Sequence, residues 1–252
     1  MKRYGLFAFV AIFSTIYIFP YAHPIEAREE TGTEQELQEE PLSFKARKRE
    51  LFRIKRIAID PGHGGRDFGA KSRNLFLEKE FTHRLATALK KTIEDQNGRR
   101  VSVILTRTGR NDTDQYKRAF VANSSEAHVY LSLHTASGYD QSSRDLGIYI
   151  SEKGAPKAGS GSWKDVNSKY SAYNAVLAGM LRKNLKGFYG HKKFFIRRGK
   201  FIPLFGIDMP GALIEVIALN DPKDELMING EEFYERLAQL LYAALVDYDK
   251  TL

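Results

Sequence analysis

Short apolar runs that lead into polar side chains set the frame of this chain. Ile57-Ala58-Ile59 runs directly into Asp60-Pro61-Gly62-His63-Gly64-Gly65-Arg66-Asp67-Phe68-Gly69-Ala70. Gly62, Gly64 and Gly65 let the backbone turn tightly and let another group come close. A strand with such an ending puts its imidazole at the lip of a sheet, where it serves a site and not a core. A second imidazole closes the apolar run Val129-Tyr130-Leu131-Ser132-Leu133-His134. A third run, Ala212-Leu213-Ile214-Glu215-Val216-Ile217, encloses a carboxylate, which is costly in an apolar strand unless it has a partner or a task.

Between these runs the spacing turns helical. Glu78 to Asp95 places Phe81, Leu85, Ala88, Leu89, Thr92 and Ile93 on one face. Asp114 to Asn123 reads as a helix capped by Asp112 or Asp114. Tyr173 to Leu185 is another, and Glu231 to Tyr248 closes the chain with a stripe of Phe233, Leu237, Leu240, Leu241, Ala244, Leu245 and Tyr248. Strands are expected at Arg56 to Asp60, Val101 to Thr106, Ala127 to His134, Gly147 to Ser151 and Gly211 to Ile217. The alternation predicts an α/β domain with a largely parallel sheet. In such sheets the working residues gather beyond the carboxyl ends of the strands. His63, His134 and Glu78, the last at a helix start between the two imidazoles, make a three-ligand zinc set with an open fourth position.

Those segments, taken in order, resemble the zinc-dependent N-acetylmuramoyl-L-alanine amidases of bacterial cell walls. The resemblance rests on DPGHGGRDFGA, LEKEF, the stretch from Arg118 to Asn123, YLSLH and ALIEVIALND, and it runs from about Lys55 to the C-terminus. It implies a single mixed sheet flanked by helices. It implies one zinc ion per chain on His63, Glu78 and His134, and Glu215 as general base and acid for hydrolysis of the amide between N-acetylmuramic acid and L-alanine. Burial of Glu215 raises its pKa, which suits proton transfer near neutral pH. Asp67 either holds a ligating imidazole or caps a turn. Arg118 and Asn123 read as hydrogen-bonding residues that seat their helix. His83, His128 and His191 match no ligand position. Ala136 departs from the family pattern, which has Asn or Asp two residues after the second ligand His. Two other readings use the same residues: a peptidoglycan-binding protein of this fold with weak turnover, and a zinc peptidase cutting within the stem peptide.

The first 50 residues follow other rules. Lys2 and Arg3 precede an almost wholly apolar run from Leu6 to Phe19 that Pro20 breaks, the layout of a secretory signal peptide over residues 1–27. An uncleaved N-terminal anchor is the alternative, and membrane contact is expected only in that case. Residues 28–50 form a charged linker, acidic and then basic, and residues 51–252 form the catalytic domain. Export to the periplasm or cell wall follows. The chain carries 39 basic and 31 acidic residues, of which residues 1–50 hold 7 and 8, so residues 51–252 hold 32 and 23. A basic domain suits an anionic partner such as peptidoglycan. No nucleic-acid-binding motif is present. Mean hydropathy is −0.41, which excludes a multi-span membrane protein. The chain has no Cys, so disulfides, thiolate ligands and thiol nucleophiles are excluded. A monomer is expected, with a protein activator as a further partner. The basic patch of His191, Lys192, Lys193, Arg197, Arg198 and Lys200 is either a contact for stem-peptide carboxylates or a solvated loop, and Gly154 to Tyr170 is read as a rim loop.

Overall fold

Four apolar segments lie side by side in parallel, and a fifth and sixth complete a sheet beside them. The computed structural model describes residues 52–252 apart from 110, 112, 137–145, 153–165 and 191. The expected signal peptide and linker lie outside the described residues, as do His191 and most of the expected rim loop. In chain order the elements are β1 (Arg56–Pro61), α1 (Glu78–Gln96), β2 (Ser102–Leu105), α2 (Gln115–Ser124), β3 (Val129–Ala136), β4 (Leu146–Ser151), α3 (Ser171–Leu185), β5 (Phe194–Gly199), β6 (Gly211–Ala218), α4 (Pro222–Met227) and α5 (Glu231–Asp249). Short 3-10 turns occupy Val166–Tyr170 and Ile202–Leu204.

The six-stranded sheet has the order β2-β1-β3-β6-β4-β5. β2, β1, β3 and β6 run parallel, β4 and β5 run parallel to each other, and β4 meets β6 antiparallel. The sheet is therefore mixed and largely parallel, with helices on its faces. No helix among the described residues is long and apolar enough to cross a membrane.

Strand alternation divides the side chains between the two faces. Ile57, Ile59, Val129, Leu131 and Leu133 enter the larger core, together with buried residues of α1, α3 and α5 such as Leu85, Leu181 and Leu241. Ala58 and Tyr130 face the other way into a smaller cluster with Ala119 and Ala122 of α2 and with Leu204, Ile207 and Met209. Register carries that second face along the sheet: Asp60 pairs with Ser132, Ser132 with Leu213, His134 with Glu215, and Leu213 with Tyr149. One face is sealed by three long helices, and the other, covered by α2 and one irregular segment, keeps room for a site.

Two elements differ from the sequence expectation. Phe194–Gly199 is an edge strand and not a solvated loop. Its charged residues Arg197 and Arg198 are exposed, as suits a strand paired on one side only. α4 starts at Pro222 with Asp221 as its cap, the Asp221 side chain accepting the Lys223 N–H.

Candidate metal centre

The loop after β1 is shaped around close contacts. His63 itself is left-handed, with φ 61°, an unusual state for a residue other than glycine. Three hydrogen bonds from α2 hold it there: the Arg118 guanidinium donates to the carbonyls of Pro61 and His63 and pairs with Asp60 Oδ1 at 2.7 Å. Asp60 is buried and also accepts from the hydroxyls of Thr106 and Ser132. Burial pushes the Asp60 carboxyl up, but the Arg118 charge and these hydrogen bonds outweigh it and hold the carboxyl below its ordinary value. From the other side, Arg107 donates to the carbonyls of Pro61, Gly62 and Lys79. The expectation that Arg118 seats its helix is met, and its reach to the His63 carbonyl adds a role in setting the loop. Asn123 also seats α2, by bonding the Gly206 carbonyl and the Asp208 N–H.

His63, Glu78 and His134 converge. Each offers a ligand atom, and these atoms lie within 4.8 Å of one another. His63 Nε2 is 3.1 Å from Glu78 Oε2, and His134 Nδ1 is 3.2 Å from Glu78 Oε1. The two imidazoles meet edge to face, with centroids 5.0 Å apart. Glu78 is buried at the first turn of α1, and backbone N–H groups fix both its oxygens, Ala70 at 2.7 Å and Thr135 at 2.8 Å. Burial alone would push its carboxyl up, but hydrogen bonds from His134 and His63 hold it well below the carboxylate range. Asp67 satisfies both of its readings: Oδ2 lies 2.8 Å from His63 Nδ1, and Oδ1 accepts the Gly69 N–H. The contact to Nδ1 leaves His63 Nε2 facing Glu78.

These residues fit a zinc ion. Two imidazoles and a carboxylate are an ordinary donor set for it, and the two imidazoles approach the two oxygens of one carboxylate. The glycines keep the space clear. A Cβ on Gly62 would come within 2.5 Å of the His134 ring, and one on Gly69 within 2.6 Å of His63 and 2.7 Å of Glu78 Oε2.

Glu215 lies beside this set. It pairs in register with His134 across β3 and β6, immediately before a register shift between His134 and Ala136. Burial pushes its carboxyl up, opposed by a hydrogen bond from Tyr149 and by the His134 charge. The Tyr149 hydroxyl donates to Glu215 Oε2 at 2.7 Å. Sequence reasoning missed Tyr149, whose only signal is its place in the short β4 run. Ala136 is buried at the register shift and offers no side-chain donor. His83 and His128 stand apart, on α1 and before β3, in keeping with their exclusion from the ligand set. Lys192 fits neither reading of the basic patch. It is buried and pairs with Asp224 and, at 3.3 Å, with Asp221.

Comparison with known proteins identifies the family. Residues 57–247 match the family model described as N-acetylmuramoyl-L-alanine amidase. The germination-specific N-acetylmuramoyl-L-alanine amidase of Bacillus subtilis is 28% identical over 208 residues, covering 76% of this chain and 78% of that protein. The catalytic domain of CwlV, an N-acetylmuramoyl-L-alanine amidase from Bacillus (Paenibacillus) polymyxa, superposes with a TM-score of 0.64 at 26% identity, covering 77% of this chain and 98% of that one. The CwlD amidase of Clostridioides difficile, solved in complex with the GerS lipoprotein, shares the fold, with a TM-score of 0.63 at 19% identity over 79% of this chain and all of that one. With a match extending from β1 into α5, the chain belongs to the N-acetylmuramoyl-L-alanine amidase family.

Proposed function

We propose that the domain hydrolyses the amide joining N-acetylmuramic acid to L-alanine in peptidoglycan, with one zinc ion on His63, Glu78 and His134 and Glu215 as the proton carrier. The observation that carries this reading is the register pair His134–Glu215, which sets a half-buried carboxylate beside a converged His–Glu–His set. A zinc ion held there would supply Lewis acidity toward the amide carbonyl and the attacking water. Glu215 removes a proton from that water and returns it to the departing alanine nitrogen. Burial biases its carboxyl toward the neutral range that such a shuttle needs. Glu78, held by two backbone amides, keeps its carboxylate aimed between the imidazoles. Asp67 fixes the orientation of the His63 ring. The chain has no Cys, so no thiol competes as nucleophile.

Arg197 suits a contact with substrate. It is exposed on β5 in register with Tyr149, and its guanidinium matches the carboxylates of a stem peptide. Export through the N-terminal apolar run places the enzyme where its substrate lies. A protein activator belongs to the same proposal; its support is that the CwlD neighbour was solved with a lipoprotein partner.

The test is digestion of purified sacculi followed by mass spectrometry, with metal analysis of the same protein. The expected products are stem peptides with free N-terminal L-alanine and glycan strands with free lactyl carboxylates. The expected metal content is one zinc per chain, lost in His134→Ala. Products cut between stem-peptide residues would replace this reading with a peptidase.

A further inference from the structure

The proposed proton carrier sits in an apolar strand, and the hydrogen bond on its carboxyl comes from a neighbouring strand. That strand is β4, which meets β6 antiparallel. β4 meets β6 with Tyr149 opposite Leu213, so Tyr149, Leu213 and Glu215 share a sheet face, and the tyrosine lies diagonally across from the carboxylate. We propose that Tyr149 is a positioning residue for Glu215, locking its carboxylate through Oε2 so that the other oxygen is presented toward His134, its register partner. The inference rests on Glu215 carrying the proton in the reaction proposed above.

Three features show a tyrosine built into place. Its hydroxyl is 2.7 Å from Oε2. Its ring is held edge-on by Phe195 of β5 at 5.9 Å and by Phe201 at 4.9 Å. Gly147, two residues earlier on the same strand face, makes room for it, since a Cβ there would stand 2.4–2.5 Å from the ring and its hydroxyl. The aromatic contacts fix the ring with no help from the hydroxyl. That leaves the O–H bond as the one part of the side chain directed at the reaction, and makes Tyr149→Phe a clean deletion.

A double-mutant cycle tests this on whichever amide the wild-type protein cuts, with Tyr149→Phe, Glu215→Gln and the double variant. Loss of one hydrogen bond to a charged group corresponds to a fall in kcat of about tenfold or more. We expect that fall in Tyr149→Phe, with KM, zinc content and the thermal midpoint close to wild type. In the Glu215→Gln background the same change should alter kcat by less than about twofold, because the two residues act as one unit. Gly147→Ala, which displaces the ring and keeps the hydroxyl, should reproduce the loss. Unchanged kcat in Tyr149→Phe overturns the proposal. So does an equal loss in both backgrounds, which would mean that Tyr149 acts by a route other than Glu215. Product mass spectrometry judges the identity of the bond separately. A cut at another amide sinks the amidase reading while the cycle still judges the pair, and a protein that cuts nothing overturns both.

Discussion

The two halves of this sheet hold their site residues by different means. On the β1–β3 side, His63, Glu78 and His134 are set by main-chain amides, by buried Arg118–Asp60 and Arg107 contacts, and by glycines with no room for a Cβ. On the β4–β5 side, Tyr149 is set by ring edges and one hydroxyl bond, and Arg197 lies over the Phe195 ring, on strands that end at an open edge. The first arrangement is over-determined, and several contacts must fail before a ligand moves. The second is lightly held, and single substitutions can retune it. A metal site of the kind proposed tolerates little error in position, whereas the proposed substrate-facing surface gains from adjustability.

Glu215 stands where the halves meet, and its removal should have the largest effect. Glu215→Gln keeps the shape and removes the proposed proton carrier, so kcat should fall by about 10²- to 10⁴-fold. Zinc content and unfolding midpoint should stay near wild type. A variant that hydrolyses peptidoglycan at nearly the wild-type rate would assign Glu215 to the scaffold and move the base elsewhere.

Next in size is the over-determined half. Arg118→Met leaves Asp60 buried without its cation, which costs about 3–5 kcal/mol of stability, readable in denaturant unfolding. The Asp60 carboxyl is held below its ordinary value in the folded state. The stability it contributes is therefore present above the unfolded value near pH 3.9 and is lost as pH falls through the folded one. Asp60→Asn should flatten the acid side of the stability curve. Midpoints for Arg118→Met within experimental error of wild type would break the comparison.

The smallest effect belongs to the lightly held half. Arg197→Ala should raise KM for stem-peptide substrates by about three- to fivefold, in keeping with an exposed ion pair, and leave the unfolding midpoint unchanged. Arg198, next along β5, serves as the control, and Arg198→Ala should leave KM where it was. A stability loss in Arg197→Ala comparable to that of Arg118→Met would show that the two halves are built alike.

Legibility in the sequence follows the same division. α1 was readable to within a residue, as Glu78–Gln96 against an expected Glu78 to Asp95, because its apolar face repeats at helical spacing. β1, β3 and β6 were readable because strands buried on both faces are nearly continuous apolar runs. The convergence of His63 and His134 was legible because each follows or closes such a run, and Glu78 because it opens α1 between them. β5 was not, since Lys192, Lys193, Arg197 and Arg198 flank a short apolar core and an edge strand has no reason to exclude charge. Lys192 shows the limit: its burial depends on Asp221 and Asp224, about thirty residues on, and no local pattern announces such a pairing. Tyr149 fell to the same cause. Its role appears only once an antiparallel register places it diagonally across from Glu215. α4 had a usable signal in Asp221-Pro222, a cap followed by proline at the first helical position.

The two amides on Glu78 have a thermodynamic consequence. They come from Ala70 in the loop after β1 and from Thr135 in β3, so one carboxylate joins two distant parts of the chain. That joint forms from protein groups alone. The ordering entropy of the loop at this point is therefore met during folding of the sheet and α1. For an ion bound as proposed above, this carboxylate would be a donor whose place the fold itself has set.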